Sequence, residues 1–199
     1  MFARLAAALL FVHTAVAQQI AVERVEGQEM FALKSEAVTD LSGLVWMGGD
    51  DFMAVSDHPN ALVPLTLKID RDSGRIASGE IGTAIPVAAD ASDFEGVTYV
   101  RATHTFYVSA ETGSAVLRLG PDPARVVRRP LPAVFAQARK NLSLEALTWN
   151  DTAQQFWIAN EETLAPDGPL GAGTVGSLVR LQRFDAAFRP TAQYAWRAE

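Results

Sequence analysis

The sequence has no cysteine. Disulfides, thiolate metal sites and cysteine nucleophiles are therefore excluded. Basic residues are in deficit: 17 Lys and Arg stand against 23 acids, a net charge of -6. That balance argues against wrapping nucleic acid or coating an anionic membrane. Several catalytic signatures are also missing. There is no Gly-x-Ser-x-Gly elbow, no glycine-rich phosphate loop and no His-Glu-x-x-His pair. No apolar run reaches the length of a membrane span. What remains is a chain of 199 residues, 49% hydrophobic and 20% charged, a globular composition with room for one ordinary domain or two small ones.

The first 17 residues read as an export signal. Arg4 supplies the positive start, Leu5–Val12 a short apolar core, and Ala15-Val16-Ala17 a small-x-small cleavage site before Gln18. The reading is therefore a signal peptide at 1–17, a folded domain at 18–199, and a periplasmic or extracellular location.

Within that domain one pattern recurs about every 50 residues. Leu41–Trp46 is followed by Phe52–Asp57, Phe94–Tyr99 by Phe106–Glu111, and Leu144–Trp149 by Phe156–Glu161. Each copy has a small residue (Gly43, Gly96, Ala146), an aromatic, a polar turn, an aromatic strand and a closing acid. A third strand follows at Leu65–Ile69, Ala115–Leu119 and Leu178–Leu181, and weaker fourth strands at Arg75–Ile81 and Arg125–Arg129. Short β-rich runs bounded by Gly, Pro and Asp are strands. Four strands per repeat make an all-β chain, a β-propeller of four-stranded blades. Ala133–Arg139 is the one helical candidate. About three blades are visible, whereas propellers close with roughly four to eight. The expectation is a partial propeller, incomplete at its C-terminus. The alternative is a compact ring whose end strands, Ile20–Val25 and Gln193–Trp196, supply a fourth blade.

Radial blades bring equivalent residues to one axis. The converging acids are Asp57, Asp93, Glu95, Glu111, Glu145 and Glu161. Carboxylates crowded together repel unless a proton or cation intervenes. Oxygen donors without Cys or His favour calcium over zinc. A repeated acid at a strand end equally serves to cap a turn or pair with the next blade. Lys68, Arg118 and Arg180 occupy matching places in the third strands. They offer planar or point charges for phosphate oxygens, or cross-strand ion pairs on a sheet face. His58, in a turn after Asp57, is a candidate acid or base, or a solvated turn residue.

Five motifs in order are similar to one family. Leu41–Leu44 with Ala54–Asp57 resembles its opening, and Asp93–Val97 its Asp-x-Glu-Gly signature. Val108–Glu111 resembles the strand that follows. Asn141–Leu147 resembles its Asn-x-Gly-x-Glu-Gly-Leu element, and Asn160–Gly168 its acidic Asp-Gly loop. The chain thus resembles the phytase-like propeller family called esterase-like activity of phytase. Ser143 and Ala146 depart from it, standing where the family has glycine. The resemblance implies an exported propeller that hydrolyses a phosphoester or ester with calcium. Glu95 and Glu145 would be catalytic, the six acids would hold metal, and Lys68, Arg118, Arg180 and His58 would bind substrate. The other reading is a non-catalytic propeller binding an extracellular ligand or protein.

Overall fold

Runs of Val, Ile, Leu and aromatics, cut by Asp, Gly and Pro turns, form strands along the whole described chain. The computed structural model describes residues 27–28, 33, 35, 38, 40–120, 125–172 and 176–198. Blade one contains β1 (Leu41–Gly48), β2 (Asp51–Ser56), β3 (Ala61–Ile69) and β4 (Ile76–Ile81), with a short β5 (Ile85–Pro86) also pairing with β3. Blade two is β6 (Phe94–Val100), β7 (Thr105–Ala110), β8 (Ala115–Leu119) and β9 (Val126–Arg129). Blade three is β10 (Leu144–Asn150), β11 (Gln155–Asn160), β12 (Leu178–Asp185) and β13 (Pro190–Arg197). All pairings are antiparallel and, apart from β5 on β3, follow chain order, as hairpins dictate.

The first strands meet: β1 packs on β6, and β6 on β10. The three sheets therefore radiate from a common line, and the fold is that of β-propeller blades. Two apolar layers fill the gaps between them. Val55, Leu62, Phe94, Val97, Val108 and Leu117 bury between blades one and two. Tyr107, Phe135, Leu144, Phe156, Phe184 and Phe188 bury between blades two and three. Each fully buried Phe or Leu contributes about 1.5–3 kcal/mol, so these layers hold the blades together without a covalent tie. Rings reinforce the second layer, with Phe184 and Phe188 stacked at 4.3 Å and Tyr107 and Phe156 tilted at 4.5 Å. The connecting segments share in the packing. Val87 and Ala91 enter the first layer and Leu131 and Phe135 the second, while Leu33 and Val38 lie on the far face of blade one with Ala54 and Val63.

Two expectations change. Gln193–Trp196 belongs to β13 and completes blade three, so it does not start a fourth blade. Ala133–Arg139 is not an α-helix: Ala133–Gln137 forms a short 3-10 turn. Its cause is local. Pro132 precedes it, Ala138 is extended, and only Phe135 is buried, so there is no apolar stripe to hold further turns. The 1–17 signal and the Ile20–Val25 strand lie outside the described residues. Among the described residues no helix is long and apolar enough to cross a membrane.

Candidate functional site

At the start of every first strand the ladder slips. Leu41 faces Ser56 and Leu44 faces Ala54; Phe94 faces Ala110 and Val97 faces Val108; Leu144 faces Asn160 and Leu147 faces Ile158. Two residues thus oppose one at Ser42-Gly43, Glu95-Gly96 and Glu145-Ala146. These are β-bulges, which re-aim side chains at strand ends. In blades one and two the second bulge residue packs against the next blade. A Cβ on Gly43 would stand 2.5 Å from the Glu95 carbonyl oxygen, and one on Gly96 2.8 Å from the Leu147 nitrogen. Only glycine allows backbones to approach so closely. The first bulge residue is left to face the rim.

The closing acids arrive at the same end. The backbone N–H groups of Asp57, Glu111 and Glu161 donate to the carbonyls of Asp40, Asp93 and Ser143, at 3.4, 2.8 and 2.7 Å. Each acceptor directly precedes a first strand, so the hairpin ends are tied together alike in all three blades. Carboxylate oxygens of Glu111, Glu145 and Glu161 lie within 4.8 Å of one another. Glu111 is held by the Ser143 N–H, which donates to its Oε1 at 2.9 Å. Burial raises the Glu145 pKa to about 7, helped by the charges of Glu95, Glu161 and Glu111. Burial also raises Glu95 above the usual carboxylate range. A hydrogen bond from Ser42 opposes this, while Glu111, Asp57 and Asp93 reinforce it. Glu161, at the exposed rim, is raised by desolvation and then by Glu111 and Glu162.

A second group gathers Asp40, Asp57 and His58. His58 Nδ1 lies 3.0 Å from Asp57 Oδ1, and this hydrogen bond and charge raise the histidine pKa. Asp93 takes a left-handed backbone, φ 60°, and accepts the Thr112 hydroxyl. Asp40 is absent from the sequence reading. Its signal was available, because it stands one residue before β1 as Asp93 does before β6.

The six predicted acids share one end of the blades, but the three strand cations do not share a position. Ser56, Ala110 and Asn160 are equivalent. Ala61 and Ala115 pair with the first two, and Arg180 follows at the third. Lys68 lies far down β3, at the opposite end, bonded to Asp50. Arg118 pairs with Tyr107 in mid-ladder. Arg180 is at the acidic end, but its guanidinium bonds both Asp167 oxygens and Gln193. Beside the cluster, Glu111, Thr112, Ser114, Arg139, Lys140 and Asn141 line a pocket of about 360 Å³. Arg139 also clamps the acidic loop by donating to the Thr163 and Gly168 carbonyls.

No curated protein matches the chain. Among solved structures it is similar to a streptogramin B lyase, with TM-score 0.39, 9% identity, and coverage of 81% of this chain and 70% of that one. It is also similar to the extracellular domain of BT4673 from B. thetaiotaomicron, described as a hybrid two-component system. There the TM-score is 0.37 and identity 12%, over 86% of this chain and 29% of the other. The phytase-like family model, esterase-like activity of phytase, matches residues 36–199. The match takes in all three blades and every acid of the rim, and the chain belongs to that family.

Proposed function

We propose that the protein is an exported phytase-like propeller that hydrolyses a phosphate ester at its acidic rim with calcium bound there. The observation that carries this reading is the meeting of Glu111, Glu145 and Glu161, from two blades, with oxygens within 4.8 Å. The donor set fits the ion. Calcium takes several hard oxygens at about 2.3–2.6 Å, so oxygens sharing one ion lie within about 5 Å. Neither sulfur nor imidazole enters this trio. Glu95, Asp57 and Asp93 extend the ring of oxygens around it.

Calcium held there would supply positive charge for a phosphoryl oxygen and lower the pKa of a bound water. The chain's own groups have distinct tasks. Glu111, fixed by Ser143, is a stationary oxygen donor. Glu145 holds a proton near neutrality when the rim is empty of cations and gives it up when charge is neutralised. His58, oriented through Nδ1 by Asp57, presents its other ring nitrogen to pass a proton to a leaving alcohol.

The dispersal of Lys68, Arg118 and Arg180 favours a second reading. Without that ring of cations to hold phosphate oxygens, the same rim would serve a non-catalytic propeller that binds an extracellular ligand through calcium. A single experiment separates the two. Phosphate release from a simple monoester is followed with calcium and with a chelator, alongside thermal melts. Release that needs calcium, and is lost in the Glu95→Gln/Glu145→Gln double variant, supports the hydrolase. A calcium-raised melt without release supports the binder. A melt indifferent to calcium overturns both.

A further inference from the structure

The strands bring acids to the rim, but their cations go elsewhere. Lys68 stands at the opposite end, Arg118 lies in mid-ladder, and Arg180 is bonded to Asp167 and Gln193. A phosphomonoester carries close to two negative charges near neutrality. One calcium ion sets two positive charges against Glu95, Glu111, Glu145 and Glu161. A dianion reaching the loaded rim therefore still meets repulsion unless a further cation stands on its side.

The pocket beside the trio supplies one. Its volume of about 360 Å³ falls at the small end of ligand sites, roughly 300–1,000 Å³. One wall is the turn Glu111–Ser114, closed by the Ser114 N–H, which donates to the Glu111 carbonyl at 3.0 Å. Another is the turn Arg139–Leu142, closed by the Leu142 N–H, which donates to the Arg139 carbonyl at 3.2 Å. Ser143 joins the two turns: its N–H donates to Glu111 Oε1 at 2.9 Å, and its hydroxyl meets the Ser114 hydroxyl at 2.6 Å. Arg139 ties the second turn to the acidic loop through the Thr163 and Gly168 carbonyls. Both walls are thus held in place by the chain itself, as a preorganised site requires.

The cations around this pocket have different duties. Arg139 is committed to those carbonyls, and Arg128 to the Gly113 carbonyl and Asp90. Lys140 is exposed and makes no hydrogen bond or ion pair with any described residue. It lines the same pocket as Glu111, on a turn pinned at both ends. Its ammonium group offers three donors on a flexible stem. We propose that Lys140 holds the phosphoryl oxygens of a phosphomonoester seated in this pocket, an inference that rests on the calcium-loaded phosphate reading of the rim. A carboxylic ester, neutral at its reacting group, gains nothing from this charge. Lys140 is then the residue that makes the rim prefer phosphate.

The test uses the full chain with calcium at slightly alkaline pH. Methylphosphonate, an anion with no ester bond to break, is titrated by calorimetry. Nitrophenyl phosphate and nitrophenyl acetate report turnover. Lys140→Gln should melt like wild type, weaken methylphosphonate binding about ten- to a hundred-fold, and lower kcat/KM for the phosphate to match. Turnover of the acetate should stay as in wild type, and Lys140→Arg should recover most of both losses. A chain that binds methylphosphonate through Lys140 but releases no phosphate supports this proposal and overturns the hydrolase. Phosphate release that Lys140→Gln leaves unchanged supports the hydrolase and overturns this proposal. No methylphosphonate binding by wild type, equal binding by Lys140→Gln, or an equal loss for phosphate and acetate also overturns it.

Discussion

Replacing Glu145 by Gln removes one negative charge from the rim while keeping the shape of the side chain. Its carboxyl is raised to about 7, first by burial and then by Glu95, Glu161 and Glu111. A folded pKa above the ordinary 4.5 means that the folded chain binds this proton more tightly than the unfolded chain. Stability from this group is therefore full below about pH 4.5 and is lost as the pH rises through about 7. Undiluted, the shift corresponds to roughly 3 kcal/mol at pH 8. Glu145 is half-buried, so solvent screening reduces this to about 1 kcal/mol. For a chain of this size that is about 2–4 °C in melting temperature. With a chelator at pH 8, Glu145→Gln should thus melt higher than wild type by that amount, and the gap should close at pH 4.5. With excess calcium the order should invert, because only the intact rim gains by mass action. A variant that melts below wild type at pH 8 without divalent ions would refute this reasoning, as would a gap independent of pH. Either result would make the Glu145 carboxylate a structural partner.

Two further outcomes follow from the packing. Gly96→Ala places a methyl 2.6 Å from Ser109 Oγ and 2.8 Å from the Leu147 nitrogen, which should cost about 1–3 kcal/mol. Ala146→Gly, at the exposed equivalent, should cost less than about 1 kcal/mol; equal melting shifts in the two variants would disprove close blade contact at Gly96. Asp167→Asn removes the partner of the Arg180 guanidinium and should cost about 2 kcal/mol at pH 7 by urea unfolding. Arg180 holds the Asp167 carboxyl below its ordinary 3.8, so this contribution is full above about pH 4 and fades as the pH falls further. A difference that survives unchanged at pH 2 would show that the ion pair is not its source.

The blades and the acidic rim were legible because both depend on spacing along the chain. Gly43, Gly96 and Ala146 stand the same distance before their closing acids to within one residue, and the hairpins carry that spacing directly into space. The cations were not legible, and the cause is physical. Sheets between blades are buried on both faces, so β3 reads as a nearly continuous apolar run with no alternation to set register. Aligning Lys68, Arg118 and Arg180 by their apolar neighbours therefore slipped the strands. Connection length decides instead: four residues join β2 to β3 and β7 to β8, while 161–177 separate β11 from β12. Asp40 was hidden by a similar focus on strand content, since it lies just outside β1. His104 spends its Nδ1 on the Tyr99 hydroxyl at 2.8 Å, away from the rim.

The bulges have a consequence for how such a site changes over time. In blades one and two the jobs divide: Gly43 and Gly96 allow the close approach by lacking a side chain, while Glu95 and Glu145 meet the neighbouring blade's glycine through their backbone carbonyls. A change at Ser42, Glu95 or Glu145 can therefore alter the chemistry of the rim without disturbing the joint beside it. Ser42, a neutral residue where the other blades carry glutamate, is already one such variation. Charge around the axis can be set one blade at a time, like the teeth of a key cut on a blank whose shaft stays the same.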